Sequence, residues 1–468
     1  MSDPRDFTAA ELAERYRDGS LSPVEATRAA LERIERLNPV LNAFCLVDAE
    51  SALAAAAESE ARWRRGEPLG PLDGVPVSVK DVILARGWPT LRGSKTVDPK
   101  GPWNDDAPAV ARLREAGAVL LGKTATPEFG WKGVTDSPLT GITRNPWNPA
   151  KTPGGSSGGA AAAVASGMGA LALGTDGGGS IRIPSAFTGV FGIKPTHGRV
   201  PFWPPSPTGT VAHMGPIARS VADAARMLSV LALPDARDWA AAPRERRDWL
   251  ATLEDGVRGL RVAYSADLGY ARVDPEIARI ARAAVRTFER LGAIVEERDP
   301  GFNDPHELFT RHWFPGAAWT VRSVPAAKRR LMDKGLLAVA KLGGRYTAVD
   351  FVDAAVRRAA LGARMGEFHE RYDLLVTPTM PIAAFDAGRE VPPKRQSKRW
   401  TDWTPFTFPF NLTRQPAASI PCGRTAAGLP VALQIVGARH ADALVLRAAR
   451  AFEREHPIAL PDVARLGK

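Results

Sequence analysis

The stretch Lys151–Thr196, KTPGGSSGGAAAAVASGMGALALGTDGGGSIRIPSAFTGVFGIKPT, constrains this chain more than any other. It holds two glycine-flanked serines 24 positions apart, Ser156 in GGSSGG and Ser180 in TDGGGSIR. Glycine on both sides lets the backbone turn sharply and present its N–H groups, because no Cβ blocks the approach. A hydroxyl among exposed N–H groups is what acyl transfer needs: a nucleophile beside a site for an oxyanion. The intervening GAAAAVASGMG is small and helix-permissive, so it can pack tightly and bring the two serines together.

Around this stretch the chain alternates helices and strands. Thr8-x-x-Glu11 and Ser22-Pro23-Val24-Glu25 are capping boxes that open two N-terminal helices, and an Ala-rich helix follows over 48–65. VPVSVKDVI (75–83) alternates as a strand does and carries Lys80. GAVLLGKT (117–124) formally matches a phosphate-binding loop, but its apolar run reads as a buried strand and Pro127 blocks the helix that motif requires. Residues 128–148 read as a long ordered loop. Helices are predicted over 220–233, 274–292, 348–371 and 441–455, with strands over 260–269, 293–297 and 373–381 and in AASIPCG and LPVALQIVG. This rhythm predicts an α/β fold: one large α/β/α domain over 1–468 around a mixed, largely parallel sheet, with the helices of 1–65 at its side and 75–196 as its catalytic core.

Composition removes several classes. Hydrophobic residues make up 44% of the 468 positions and charged ones 24%, ordinary for a chain with a large core. The net charge of +11 comes from arginines spread along the chain, with one short cluster at 392–400 and no nucleic-acid module. No apolar run approaches the roughly 20 residues that span a bilayer, and the N-terminus lacks the apolar centre of a signal peptide. Cys45 and Cys422 are too few for a disulfide framework or a cysteine metal site, so a cytoplasmic protein without metal or cofactor is expected.

The paired serines, with Lys80 on an upstream strand, resemble the amidase signature family over nearly the whole chain. The resemblance implies a catalytic set of Lys80, Ser156 and Ser180, with a cis peptide bond at Gly155–Ser156. It implies that Ser180 attacks the substrate carbonyl while Ser156 passes the proton to neutral Lys80. Gly177, Gly178 and Gly179, with the Ser180 N–H, are the oxyanion candidates; Ser157, Thr175, Asp176 and Arg182 are supporting residues, and Gly130 and Trp131 contact substrate. Asn411, Gln415, Pro416 and Gln434 extend the match into the tail, where Arg414 stands in place of the glycine general among relatives. An unperturbed lysine is almost wholly protonated at pH 7, so burial must lower the Lys80 pKa.

The resemblance implies hydrolysis of C–N bonds in small-molecule amides, with carbamates and esters open. Aromatic loops carrying Trp131, Phe202, Trp203, Trp400, Trp403, Phe406 and Phe408 favour uncharged aryl or apolar substrates. The competing reading is the glutaminase subunit of a tRNA-dependent amidotransferase, for which Lys132 and Asp136 would supply charges to a glutamine head group. A homodimer is compatible with either reading; no nucleic-acid or membrane partner is expected.

Overall fold

The structure, a computed structural model, describes residues 3–245, 248–393 and 395–466; Lys394 of the basic cluster lies outside them. Strands β1 (Phe44–Val47), β2 (Pro76–Lys80) and β3 (Val119–Thr124) precede a short pair, β4 (Asp136–Ser137) and β5 (Gly141–Ile142). Then come β6 (Leu171–Asp176), β7 (Phe191–Lys194), β8 (His213–Ala218), β9 (Arg261–Tyr264) and β10 (Ile294–Glu297). β11 (Leu374–Pro378), β12 (Ala417–Arg424) and β13 (Pro430–Gly437) complete the strands. All but β4 and β5 join one mixed sheet in the order β1-β3-β2-β6-β8-β7-β12-β13-β11-β9-β10. Its parallel pairing falls in two blocks, β3-β2-β6 and β11-β9-β10, and the strands between them pair antiparallel. Helices cover both faces, giving the expected α/β architecture.

Local chemistry accounts for where the elements begin. Both N-terminal capping boxes form, with Thr8 and Ser22 accepting from the N–H groups of Glu11 and Glu25. The apolar faces of the Pro23–Leu41 and Ala49–Arg65 helices share a core with Val119 and Leu121 of β3 and with Ala162 and Ala163, at the side of the sheet. β2 stops at Lys80, earlier than the alternation suggests, because the N–H groups of Val82 and Ile83 turn back onto the Lys80 carbonyl. Residues 301–347, unassigned from sequence, hold two helices, His306–Ser323 and Lys334–Gly343.

The parallel neighbours β2 and β6 place the site. Val79 pairs with Leu173, so the C-terminal ends of the two strands, Lys80 and Thr175–Asp176, emerge at one edge. That edge is where α/β sheets ordinarily receive ligands. The helix Gly158–Ala165, which leads from the Ser156 loop into β6, is fully buried. A Cβ at Gly159 would lie 2.5 Å from both the Ala43 carbonyl oxygen and the Ala125 nitrogen, so this helix enters between strands only because the residue is glycine. Among the described residues, no helix is long and apolar enough to cross a membrane.

Candidate active site

Lys80 is fully buried at the end of β2, and its Nζ reaches three hydroxyls. It donates to Ser156 Oγ at 2.7 Å, Thr175 Oγ1 at 2.8 Å and Ser157 Oγ at 2.9 Å. Burial drives its pKa well below the ordinary 10.5, opposed only in part by the charge of Asp176. Every contact is to a group that can both donate and accept, so the amine can exchange a proton with its surroundings. The peptide bond Gly155–Ser156 is cis. A Cβ at Gly155 would stand 2.5 Å from the Val134 carbonyl carbon, so the turn into Ser156 requires glycine.

Ser180 ends the glycine loop after β6, 5% exposed and bordering the same cavity as Ser156. The Ser157 N–H donates to the Ser180 carbonyl at 3.0 Å, which ties the two serine loops together. Asp176 and Arg182 anchor this loop as a buried ion pair at 2.9 Å. Burial alone would raise the Asp176 carboxyl, but Arg182 beside it and the Asn411 amide hold it below the usual carboxylate range. Arg182 also donates to Asn411 Oδ1 and Gln434 Oε1, both at 2.7 Å, which brings the tail motif into the site. One expected oxyanion donor is already engaged: the Gly179 N–H donates to Asp176 Oδ1 at 2.7 Å. This sets Gly179 apart from Gly177 and Gly178 among the expected oxyanion donors. The N–H groups of Gly177, Gly178 and Ser180 make no hydrogen bond within the described residues.

The cavity has a volume of about 400 Å³. Ser156, Ser180, Thr175 and Gly177 lie on its wall, together with Gly130 and Trp131. Phe202 also lines it, but Trp400, Trp403, Phe406 and Phe408 do not. These four are fully buried core side chains, with Trp403 stacked on Phe187 and Phe408 on Phe309. Trp203 lies outside the wall, under the guanidinium of Arg237. Sequence reasoning missed the His306–Ser323 helix, whose Trp313, Gly316, Ala317 and Thr320 face the cavity at helical spacing. It also missed Leu336 and Arg92, the latter the one charged side chain on the wall among the described residues.

Lys132 does not face substrate with a free charge. It is buried between Asp136 (2.6 Å) and Asp333 (3.0 Å), and although burial opposes it, the two carboxylates raise its pKa. Lys123, from the phosphate-loop match, is also buried, in β3, and donates to the Ile83 carbonyl and to Thr90 Oγ1. It is therefore part of a strand and its packing. No group of three or more His, Cys, Asp or Glu residues among the described ones could hold a metal ion.

Comparison with known proteins places this geometry. The chain is 40% identical to an acylamidase of Rhodococcus erythropolis, covering 97% of this chain and 96% of that one. It is 39% identical to a glutamyl-tRNA(Gln) amidotransferase subunit of Myxococcus xanthus, over 96% and 97%. Its fold superimposes on the crystal structure of a bacterial aryl acylamidase of the amidase signature family with a TM-score of 0.90, at 32% identity over 96% of both chains. The family model described as Amidase matches residues 25–446. A buried lysine among hydroxyls, a second serine at the end of β6 and a match running through the tail thus converge: the chain belongs to the amidase signature family and is an amide-hydrolysing enzyme.

Proposed function

We propose that this enzyme is a free-standing acylamidase, acting on uncharged amides with an aryl or extended apolar group through Lys80, Ser156 and Ser180. The observation that carries the reading is the Lys80 amine, buried without a carboxylate ligand and in contact with three hydroxyls. Neutral Lys80 accepts the Ser156 proton, Ser156 accepts the Ser180 proton, and Ser180 Oγ bonds to the substrate carbonyl carbon. The negative charge formed on the carbonyl oxygen is met by free N–H groups of the glycine loop, Gly177, Gly178 and Ser180 rather than Gly179. Collapse breaks the C–N bond while Ser156 returns a proton to the departing nitrogen. Water then attacks the acyl-enzyme by the same relay and releases a carboxylic acid. Ser157 and Thr175 hold the lysine; Asp176 and Arg182 hold the loop.

The substrate class rests on the wall. It is built mainly from aromatic, aliphatic and proline side chains, and no Asp or Glu among the described residues lines it. Burying apolar substrate area there contributes roughly 25 cal/mol per Å². Arg92 could meet the carboxylate of free glutamine, but the ammonium would be buried without a partner, which is strongly unfavourable. Lys132 and Asp136 already neutralise each other. The acylamidase and aryl acylamidase relatives support the same class.

Comparing kcat/KM for an apolar anilide and for glutamine tests the reading. The anilide should be preferred. Should glutamine win by tenfold or more, the glutaminase-subunit reading, to which the Myxococcus relative points, replaces it. In the proposed reading the chain works as one unit in the cytoplasm without a cofactor, and chelators leave its activity unchanged.

A further inference from the structure

A second concavity, of about 1000 Å³, lies beside the catalytic cavity and shares the 205–208 segment, Gly316 and Trp319 with it. Its floor gathers positive charge. Arg358 Nη1 and Arg414 Nη2 both donate to the single hydroxyl of Thr210, at 2.9 and 3.0 Å. Arg439 stands exposed at the rim. None of the three forms an ion pair within the described residues, and no Asp or Glu among them lines the groove. Arg358 also donates to the carbonyls of Leu412 (2.7 Å) and Thr210 (3.1 Å), which fix its guanidinium without neutralising it, so two cations meet at one hydroxyl with no counter-charge. Burial, reinforced by the neighbouring Arg414, lowers the Arg358 pKa to about 10.

The opposite wall is apolar. Trp319 and Phe351, 61% and 46% exposed, face the groove with Pro315, Ala355 and Ala359. A ligand suited to both walls has a planar anionic head that accepts from paired guanidiniums and an apolar body that covers the two rings.

We propose that this groove is a binding site for an apolar monocarboxylate, held by Arg358, Arg414 and Arg439 and separate from the serine site. The proposed hydrolysis releases the same chemical class, so the groove is suited to hold the acid product or a related acid. The binding itself does not depend on turnover. The groove's geometry stands apart from the acylamidase reading, and binding to the Ser180→Ala enzyme can be measured whether or not that enzyme's parent cleaves anilides.

Calorimetric titration of the Ser180→Ala enzyme with 4-phenylbutyrate, 4-phenylbutanol and inorganic phosphate tests the site. Saturable binding of 4-phenylbutyrate is expected, with the alcohol and phosphate each about tenfold weaker or worse, the scale of one charge-assisted contact. Arg414 has φ 63°, a conformation that favours glycine, so Arg414→Gly should keep the melting temperature while weakening 4-phenylbutyrate about tenfold or more. If that variant does not fold, Arg439→Gln, at an exposed rim residue, carries the test with a smaller loss in the same direction. Absence of saturable binding overturns the proposal, as does phosphate binding equal to that of the acid. So does a loss confined to Arg92→Gln, which would put the ligand in the catalytic cavity.

Discussion

Lys80 on β2 and Lys123 on β3 sit one residue out of step on neighbouring strands. Val79 pairs with Lys123 and Lys80 with Thr124, so the two amines leave opposite faces of the sheet. Both are fully buried. Lys123 meets a backbone carbonyl, which can only accept, and the Thr90 hydroxyl, with the Asp81 charge nearby; burial lowers its pKa to about 8. Lys80 meets hydroxyls alone, and burial likewise lowers its pKa well below the ordinary range. Burial makes a lysine easier to deprotonate in either place. In the proposed mechanism, what separates a base from a strut is whether its partners can give a proton as well as take one.

The largest effect that could break this comparison is on turnover. Lys80→Met and Ser180→Ala should each lower kcat by about 10⁴-fold or more, since members of a catalytic unit fail together. Lys123→Met should instead lower stability by about 1–3 kcal/mol, the cost of leaving the buried Ile83 carbonyl with only the long 3.4 Å contact from the Thr90 hydroxyl, with kcat within about threefold. A turnover loss in Lys123→Met as deep as in Lys80→Met would end the distinction. Rate assays and thermal unfolding on the same three preparations decide it.

pH profiles sharpen the contrast. With Lys80 as the proton acceptor, kcat/KM falls as pH drops through its lowered pKa, and this acid limb disappears from the residual rate of Lys80→Met. For Lys123 the readout is stability. Between about pH 8 and 10.5 the unfolded chain binds more protons at this lysine than the folded one, so wild-type stability rises with pH there. The gap between wild type and Lys123→Met should widen across that window, by at most about 1.4 kcal/mol per pH unit. A flat difference would remove the buried, partly deprotonated lysine from the account.

The smallest effect concerns a third kind of lysine. Asp333→Asn leaves Lys132 with Asp136 alone and should cost about 1 kcal/mol, with activity on an anilide unchanged, because the remaining carboxylate still pairs the buried charge and Asn can still accept from the Gly335 N–H. A melting temperature indistinguishable from wild type down to pH 4 would show that the second carboxylate contributes nothing.

The two kinds of lysine also show how far the sequence could be read. The two glycine-flanked serines and the strand that carries Lys80 were legible because glycine spacing and alternation are local signals, as are the capping boxes, whereas the role given to Lys80 came from the family resemblance. Lys123 was legible as a strand residue from its apolar neighbours. The engagement of the Gly179 N–H had a local signal too: Asp176 stands three positions upstream, where an Asp side chain commonly captures backbone N–H groups. The cavity wall was less legible. Composition cannot say toward which side a tryptophan points, so Trp400 and Trp403 entered the substrate reading although they lie in the core. Trp313, which does face the cavity, sits in a helix whose pattern is obscured by the internal Pro315.

The unbroken burial of Thr152 through Gly174 has a consequence for how such a chain can vary. Loops ordinarily absorb an inserted residue by bulging into water. From Ser156 to Gly174 there is no water to bulge into, and the Ser157–Ser180 hydrogen bond ties the two serine loops at either end of the span. The segment therefore works as a ruler: side chains along it can change within their volume, but an added or deleted residue would shift Ser180 relative to Lys80. Changes of chain length that alter the choice of substrate must be accommodated elsewhere, and the 301–347 helices, which supply Trp313 and Leu336 across the cavity, have the exposed turns to accept them.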